Sequence, residues 1–354
     1  GGVERGTLEV AAALVRAGHR SIVVSAGGQL VDRLLACGSE HIQLPVARKS
    51  PAALLQVRPL RRILQEARVD ILHMRSRLPA WIAWLAWRGM PPGQRPGLVT
   101  TVHGLYSVNR YSEIMTRGER VIAVSDTARN YILENYPGTD PRRIVTIYRG
   151  VDREEFPYGY EPDKAWLSGW YDEYPLLKEA AVLTLPGRLT RLKGHEDFIR
   201  LVGVLAKKDV PLHGLIVGYL DPARRKYISE LKQLIADNGL ESRITFTGQR
   251  SDIRNIYACS NVVLSLSLKP ESYGRTVTEA LSLGIPVVGY DHGGVGEVLA
   301  RYFPDGRSPV GNVDRLAENV IRILGNSGRI PGQAIFTKEE MLEQTLSLYQ
   351  DLTE

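Results

Sequence analysis

The sequence predicts an α/β protein of two domains, each built around a buried parallel sheet. Three observations lead there. Short apolar runs alternate with stretches of helical spacing, the pattern of strands joined by crossover helices. The alternation breaks once, over residues 152–179, where Tyr158-Gly-Tyr-Glu-Pro and Trp166-Leu-Ser-Gly-Trp170 are aromatic and turn-rich. The chain has 354 residues, long enough for two separate cores.

In the first domain, residues 1–157, a helix over 1–17 leads to a strand at 21–25, followed by a helix at 29–36. Helices at 54–67 and 79–87 precede strands at 70–74 and 98–102. A strand at 121–124, a helix at 126–136 and a strand at 144–148 complete it. In the second domain, residues 158–337, strands are expected at 181–185, 214–217, 244–247, 261–267 and 285–289. Helices at 196–207, 224–238 and 252–258 lie between them. The tail, 338–354, has a helical pattern and is expected to cross back to the first domain. A strand ordinarily precedes the first helix of such a domain, so the first N-terminal strand is expected to be missing from this chain. Each half is then Rossmann-like, with the two sheets facing across a cleft and ligands at the carboxyl ends of the strands.

Composition narrows the class. Hydrophobic residues make up 44% and charged residues 24%, the balance of a globular chain rather than a disordered one. No apolar run is long enough to span a bilayer. Cys37 and Cys259 are too few and too far apart for a disulfide framework or a zinc cluster. The expected location is the cytoplasm, in solution or peripherally on the inner face of the membrane. Residues 1–150 carry 21 Lys+Arg against 11 Asp+Glu, whereas the chain as a whole is only +6. A basic first half suits an anionic partner or is a solvated arginine-rich surface. No recognition motif for nucleic acid accompanies it.

The most informative segment is Glu271-Ser-Tyr-Gly-Arg-Thr-Val-Thr-Glu279, which follows an apolar run and precedes Gly284. It reads as strand, loop, helix, with Glu271 on the loop and Glu279 about two turns into the helix. The amides of Tyr273, Gly274 and Arg275 open that helix and can meet a phosphate. Two hydroxyl acceptors beside an anion hole describe a sugar-nucleotide site. Gly187-Arg188-Leu-Thr-Arg191-Leu-Lys193-Gly194 also follows a strand, and Arg188 and Lys193 can hold a diphosphate. Gly1-Gly2 at a helix start can approach a phosphate, although a plain turn has the same composition. His103 directly follows a strand and is either structural or catalytic. One strand earlier, Arg75 and Arg77 are candidates for an anionic acceptor, with His73 beneath them. Trp81, Trp84 and Trp87 are core packing or, beside arginines, a membrane-surface face. No metal-ligand spacing, nucleophile elbow or phosphate loop ending in Gly-Lys-Ser/Thr is present.

Taken in order, GGVERG, VIAVSDTARNYI, IYRGVD, GRLTRLKG, ESYGRTVTEA and GIPVVGYDHGG span nearly the whole chain. In these segments it resembles the retaining nucleotide-sugar glycosyltransferases of family four, which have the GT-B fold. HMRSRLPAW resembles bacterial transferases of lipopolysaccharide core and other surface glycans. The resemblance implies a UDP-sugar donor before a GDP-sugar, a glycan or glycolipid acceptor, and neither cofactor nor metal. Contact with an anionic membrane, but not with nucleic acid, is also expected. It implies that Arg188 and Lys193 bind the diphosphate, Glu279 the ribose, and Glu271 the donor sugar. The amides of Ser272, Tyr273, Gly274 and Arg275 would hold phosphate and sugar. Gly1 and Gly2 would face the diphosphate and His103 the transferred sugar. Attack from the leaving-group face, with a phosphate oxygen taking the acceptor's proton, accounts for retention. Glu271 as nucleophile is the lesser alternative. Arg149 stands where the linker motif usually has asparagine, and is a third candidate for an anionic group. A sugar-nucleotide epimerase and a catalytically silent glycan-binding relative are the competing readings. Closure of the two domains about residues 150–157 is expected on donor binding.

Overall fold

The computed structural model describes residues 2–47, 51–326, 330–332 and 334–354. The chain forms two compact units, one running through Arg149 and including Glu339–Glu354, the other Gly150–Lys338. Residues 150–157 therefore group with the second unit, where the sequence reading placed them in the first.

The first unit has strands β1 (Ile22–Ser25), β2 (Glu40–Gln43), β3 (Ile71–Met74), β4 (Gly97–Val102), β5 (Arg120–Ala123) and β6 (Ile144–Thr146). Its helices are α1 (Gly2–Arg16), α2 (Val31–Ala36), α3 (Val57–Glu66), α4 (Arg77–Arg88), α5 (Arg110–Glu113) and α6 (Asp126–Asn135). All pairings are parallel: β1 with β2, and β3-β4-β5-β6 in a second sheet. β4 is buried from Leu98 to Val102, Thr100 and Thr101 included. His73 lies opposite Val99 in the register, so the carboxyl ends of β3 and β4 open side by side.

Three local differences from the sequence reading have simple causes. β2 has no strand signal in the sequence because Glu-His-Ile-Gln has one apolar residue, and pairing with β1 rather than patterning makes it a strand. The expected helix at 54–67 is a 3₁₀ segment, Pro51–Gln56, followed by α3. Pro59 sits in the first turn of α3, where a missing N–H is tolerated. On α4, Ala80, Ile82, Ala83 and Ala86 take the buried face, and the three tryptophans are only half-buried. Trp81 and Trp87 donate to the Tyr111 and Pro96 carbonyls at 2.9 and 2.8 Å, and the Arg88 and Arg117 guanidinium groups lie over the Trp84 ring.

The second unit contains β7 (Ala181–Pro186), β8 (Leu212–Val217), β9 (Ile244–Gly248), β10 (Val262–Ser265), β11 (Val287–Tyr290) and β12 (Arg307–Ser308). Its helices are α7 (Lys164–Glu173), α8 (His195–Ala206), α9 (Arg225–Asp237), α10 (Ile253–Ala258), α11 (Arg275–Ser282), α12 (Gly293–Tyr302) and α13 (Val313–Gly325). The break at 152–179 thus holds a helix, α7, capped by Asp163, which accepts from the Trp166 amide at 2.8 Å. Its rings explain the aromatic composition: Trp166 stacks on Trp170 at 5.1 Å, and Trp170 is buried in a satellite core with Leu177, Val182 and Leu215. The sheet is wholly parallel with order β12-β11-β10-β7-β8-β9. Strand order reverses between β7 and β10, which makes the crevice beyond their carboxyl ends the switch point of the sheet.

The last helix, α14 (Lys338–Gln350), belongs with the first unit from Glu339 onward. Its Leu342, Leu348 and Tyr349 join Val10, Val99, Ile122 and Ile147 in the core there. At the edge of the second unit, segments 150–153 and 335–338 run together. Val151 N–H donates to Phe336 O at 3.0 Å, Lys338 N–H donates to Val151 O at 2.9 Å, and Lys338 Nζ reaches Asp152 at 2.6 Å. Gly150 is required for that approach, because a Cβ there would lie 1.9 Å from the Thr337 carbonyl oxygen. Gly150→Ala is therefore expected to destabilise by about 1–3 kcal/mol in urea unfolding. Gly169→Ala, inside α7 with nothing within 4 Å, should instead gain about 0.5–1 kcal/mol. Equal midpoints for the two variants would contradict this account of the junction.

Candidate active site

In the second unit, the two loops singled out in the sequence leave β7 and β10 and meet at the switch point. Gly194 brings them together. It has φ +70°, and a Cβ would lie 2.1 Å from the Leu266 carbonyl oxygen, so only glycine allows the contact. Leu268 N–H donates to Leu192 O at 2.8 Å across the same gap. Lys193 Nζ then reaches Glu271 Oε1 at 2.6 Å. Ser267 Oγ donates to the same carboxylate oxygen. Burial would raise the Glu271 pKa, but the Lys193 charge and the hydrogen bonds from Lys193 and Ser267 more than reverse this, and Glu271 is held below the usual carboxylate range. Arg188 is exposed and has no hydrogen-bond or ion-pair partner among the described residues. Arg191, by contrast, is tied to Glu196 and Glu230 and lies over Tyr227.

Glu279 is buried and accepts from Arg275 Nε at 2.8 Å. It lies one turn into α11, not two, because the loop after β10 runs through Gly274 before the helix starts. Val277 and Thr278 amides bond to Gly274 O, so the orphan donors of the first turn are those of Arg275 and Thr276. Tyr273 is buried, and so is Gly274. Sequence reasoning missed the support from elsewhere in the chain. His292 Nε2 donates to Ser267 O at 2.6 Å, and Gly294 N–H donates to Glu271 O at 2.7 Å, so the start of α12 fixes the loop that carries Glu271. The only signal was Asp291-His292-Gly-Gly, a turn followed by a helix start. No group of three or more metal-ligating side chains stands together among the described residues.

In the first unit, the residues after β3 and β4 gather under α1. Arg149 Nη2 donates to His103 Nδ1 at 3.0 Å, which leaves the neutral ring's proton on Nε2. Burial, with the charges of Arg75 and Arg149, pushes the His103 pKa well down and keeps the ring uncharged. His73 is lowered likewise, by burial and by Arg75, and bonds to Tyr349 at 2.5 Å and Thr101 at 2.6 Å. Gly2 lies against Arg149: a Cβ there would be 2.8 Å from Nη1. Gly1 lies outside the described residues. Arg75, His103 and Arg149 line one cavity of about 30 Å³. Arg77 does not. It donates to Ser112 Oγ at 3.1 Å and lies over the rings of Tyr106 and Tyr111.

With both loop systems defined, the comparisons with known proteins are specific. Residues 1–155 match the profile of Glycosyltransferase Family 4, and residues 172–338 that of Glycosyl transferases group 1. The chain belongs to the family-four glycosyltransferases of GT-B fold. A glycosyltransferase structure from Rickettsia africae superposes with a TM-score of 0.85 at 29% identity, covering 100% of this chain and 96% of that one. The structure of Anabaena HepE in complex with UDP-glucose superposes with a TM-score of 0.82 at 21% identity, over 99% of this chain and 96% of that one. By sequence, the chain is 25% identical over 328 residues to N-acetyl-alpha-D-glucosaminyl L-malate synthase of Bacillus anthracis, covering 88% of this chain and 82% of the relative. No helix among the described residues is long and apolar enough to cross a membrane.

His195, the first residue of α8, gives a pH test of the packing beside this site. It is fully buried, and burial lowers its pKa from 6.5 to about 4. The folded chain therefore binds fewer protons than the unfolded chain below pH 6.5. The stability present above that value should be lost progressively as pH falls toward 4, by on the order of 3 kcal/mol. Urea unfolding of the wild type and His195→Gln across this range should show the steeper acid loss in the wild type. Parallel curves would sink the assignment.

Proposed function

We propose that this chain is a retaining, metal-independent glycosyltransferase. It takes a sugar from a UDP-sugar, or secondarily a GDP-sugar, and delivers it to a glycan or glycolipid in lipopolysaccharide core or other surface polysaccharide synthesis. The observation that carries this reading is the meeting of the two loops at the switch point, with Lys193 2.6 Å from Glu271 and Arg188 uncommitted on the same loop. In it, Glu271 receives hydroxyls of the donor sugar and Glu279 those of the ribose. The amides from Ser272 to Arg275 meet the phosphates. Arg188 and Lys193 stabilise the charge that grows on the leaving diphosphate. The acceptor oxygen attacks from the leaving-group face, and a phosphate oxygen takes its proton. Glu271 fits positioning better than attack, since an ion-paired carboxylate with a lowered pKa is a weakened nucleophile. In the first unit, His103 and Gly2 are the residues assigned to the transferred sugar and diphosphate. The UDP-glucose complex of the Anabaena protein supports the choice of donor.

The relative from Bacillus anthracis is named for a malate product, and its name supports a second acceptor class, a small anionic molecule. Peripheral attachment to an anionic membrane rests on Leu54 and Leu55, which are 56% and 73% exposed just before basic α3. Leu54→Glu with Leu55→Glu should reduce co-sedimentation with phosphatidylglycerol vesicles. Equal sedimentation removes that attachment.

Lys193→Ala and Glu279→Ala are each expected to weaken UDP binding by about tenfold or more, read by isothermal titration. Unchanged affinity in both variants removes the donor-site assignment. With UDP-, GDP- and ADP-sugars, acceptor-dependent nucleotide release from one donor is the expected result. Turnover without acceptor would point to an epimerase, and no turnover by folded protein to a silent relative.

A further inference from the structure

Arg75 is the most unusual side chain in the first unit. Its Nε is buried and has no hydrogen-bond partner among the described residues. Burial lowers its pKa, and the nearby Tyr349 and Glu9 offset this only in part. Tyr349 is itself pushed up to about 12 by burial, so it carries no charge at neutral pH. Glu9 bonds to Arg5 at 3.2 Å and makes no ion pair with Arg75. A guanidinium whose Nε is buried without an acceptor is costly, and such groups in native proteins are normally paired.

The surroundings add to the positive field. A Cβ at Gly6 would lie 3.0 Å from Arg75 Nη2 and 3.3 Å from Arg149 Nη2, so both guanidinium groups press against one face of α1 near its N-terminus. That end of a fifteen-residue helix carries partial positive charge, against which Glu4 stands in its first turn. His73 and His103 complete the polar wall, and both are kept neutral. The enclosed space of about 30 Å³ suits one small polar group, not a whole substrate.

We propose that this cavity is an oxyanion subsite, in which Arg75 and Arg149 receive a carboxylate or phosphate group of the acceptor. It deepens the transferase reading and rests on it for the word acceptor. The anion-binding property itself does not depend on that reading. The same chemistry could come from the donor diphosphate, so the test has two arms. Arg77, held by Ser112 and two tyrosine rings, takes no part.

The experiment uses the whole chain and two probes, UDP and inorganic phosphate, with Arg75→Met and Arg75→Lys as variants. Methionine keeps an apolar filling in the cavity if the lysine variant misfolds. The side-chain Nε–H resonance of Arg75, assigned by its absence in Arg75→Met, is followed by NMR in wild type saturated with UDP. Added phosphate should shift it without shifting that of Arg77. Calorimetry should show phosphate binding to the UDP-saturated chain weakened about tenfold or more in Arg75→Met, with UDP affinity unchanged. If UDP alone moves the Arg75 resonance and Arg75→Met loses UDP affinity, the donor occupies the cavity and the acceptor assignment is overturned. If phosphate leaves the resonance unmoved, or binds both chains equally, the subsite is overturned. Failure of the donor-site reading would appear separately, as UDP affinity unaffected by Lys193→Ala.

Discussion

The pairing of β7 with β10 is the contact on which the rest of the second unit depends. Val262 lies opposite Leu183, and Val263 opposite Thr184. Because the two strands are neighbours in space but distant in sequence, the loops that leave them open into one crevice. In this unit, every candidate donor residue sits on one of these loops or within the first two turns of α11. The close approach at Gly194, the Lys193–Glu271 pair and the support from His292 and Gly294 all follow from that adjacency. Without it, Arg188 and Glu271 would belong to unrelated surface turns.

The first unit uses charge in the opposite way. In the second unit the half-buried Glu271 carboxylate has Lys193 beside it, and Arg188, which has no partner among the described residues, is exposed. In the first, half-buried guanidinium groups stand beside neutral histidines. The difference separates a loop whose carboxylate is paired from a wall in which Arg75 Nε has no hydrogen-bond partner among the described residues. In both units a charge removed from water must find a partner.

Much of this was legible in the sequence, for reasons that mark the limits of such reading. β7, β8 and β10 are buried on both faces, so their apolar runs show plainly. β2 is half exposed and polar, and only its neighbour makes it a strand. α7 was hidden by a glycine and three aromatic residues at its centre, α12 by its opening glycines. Strand order could not be read at all, since pairing is a long-range choice. For the site, the motif segments were visible as strand–loop–helix units, but Ser267, His292 and Gly294 act across space. Arg75 and Arg77 would share a face if the chain stayed extended. The chain turns into α4 at Arg77, and the two guanidinium groups part company.

The return of α14 to the first unit sets an order of assembly. Leu342, Leu348 and Tyr349 belong to the core that Val10, Val99 and Ile122 begin. During synthesis, the half that is made first waits for residues translated after the whole of the second unit. The second unit can close its own core of β7 to β12 in the meantime. The nascent first half is thus left with apolar surface open for the longest interval, and the half made later is the one able to finish first.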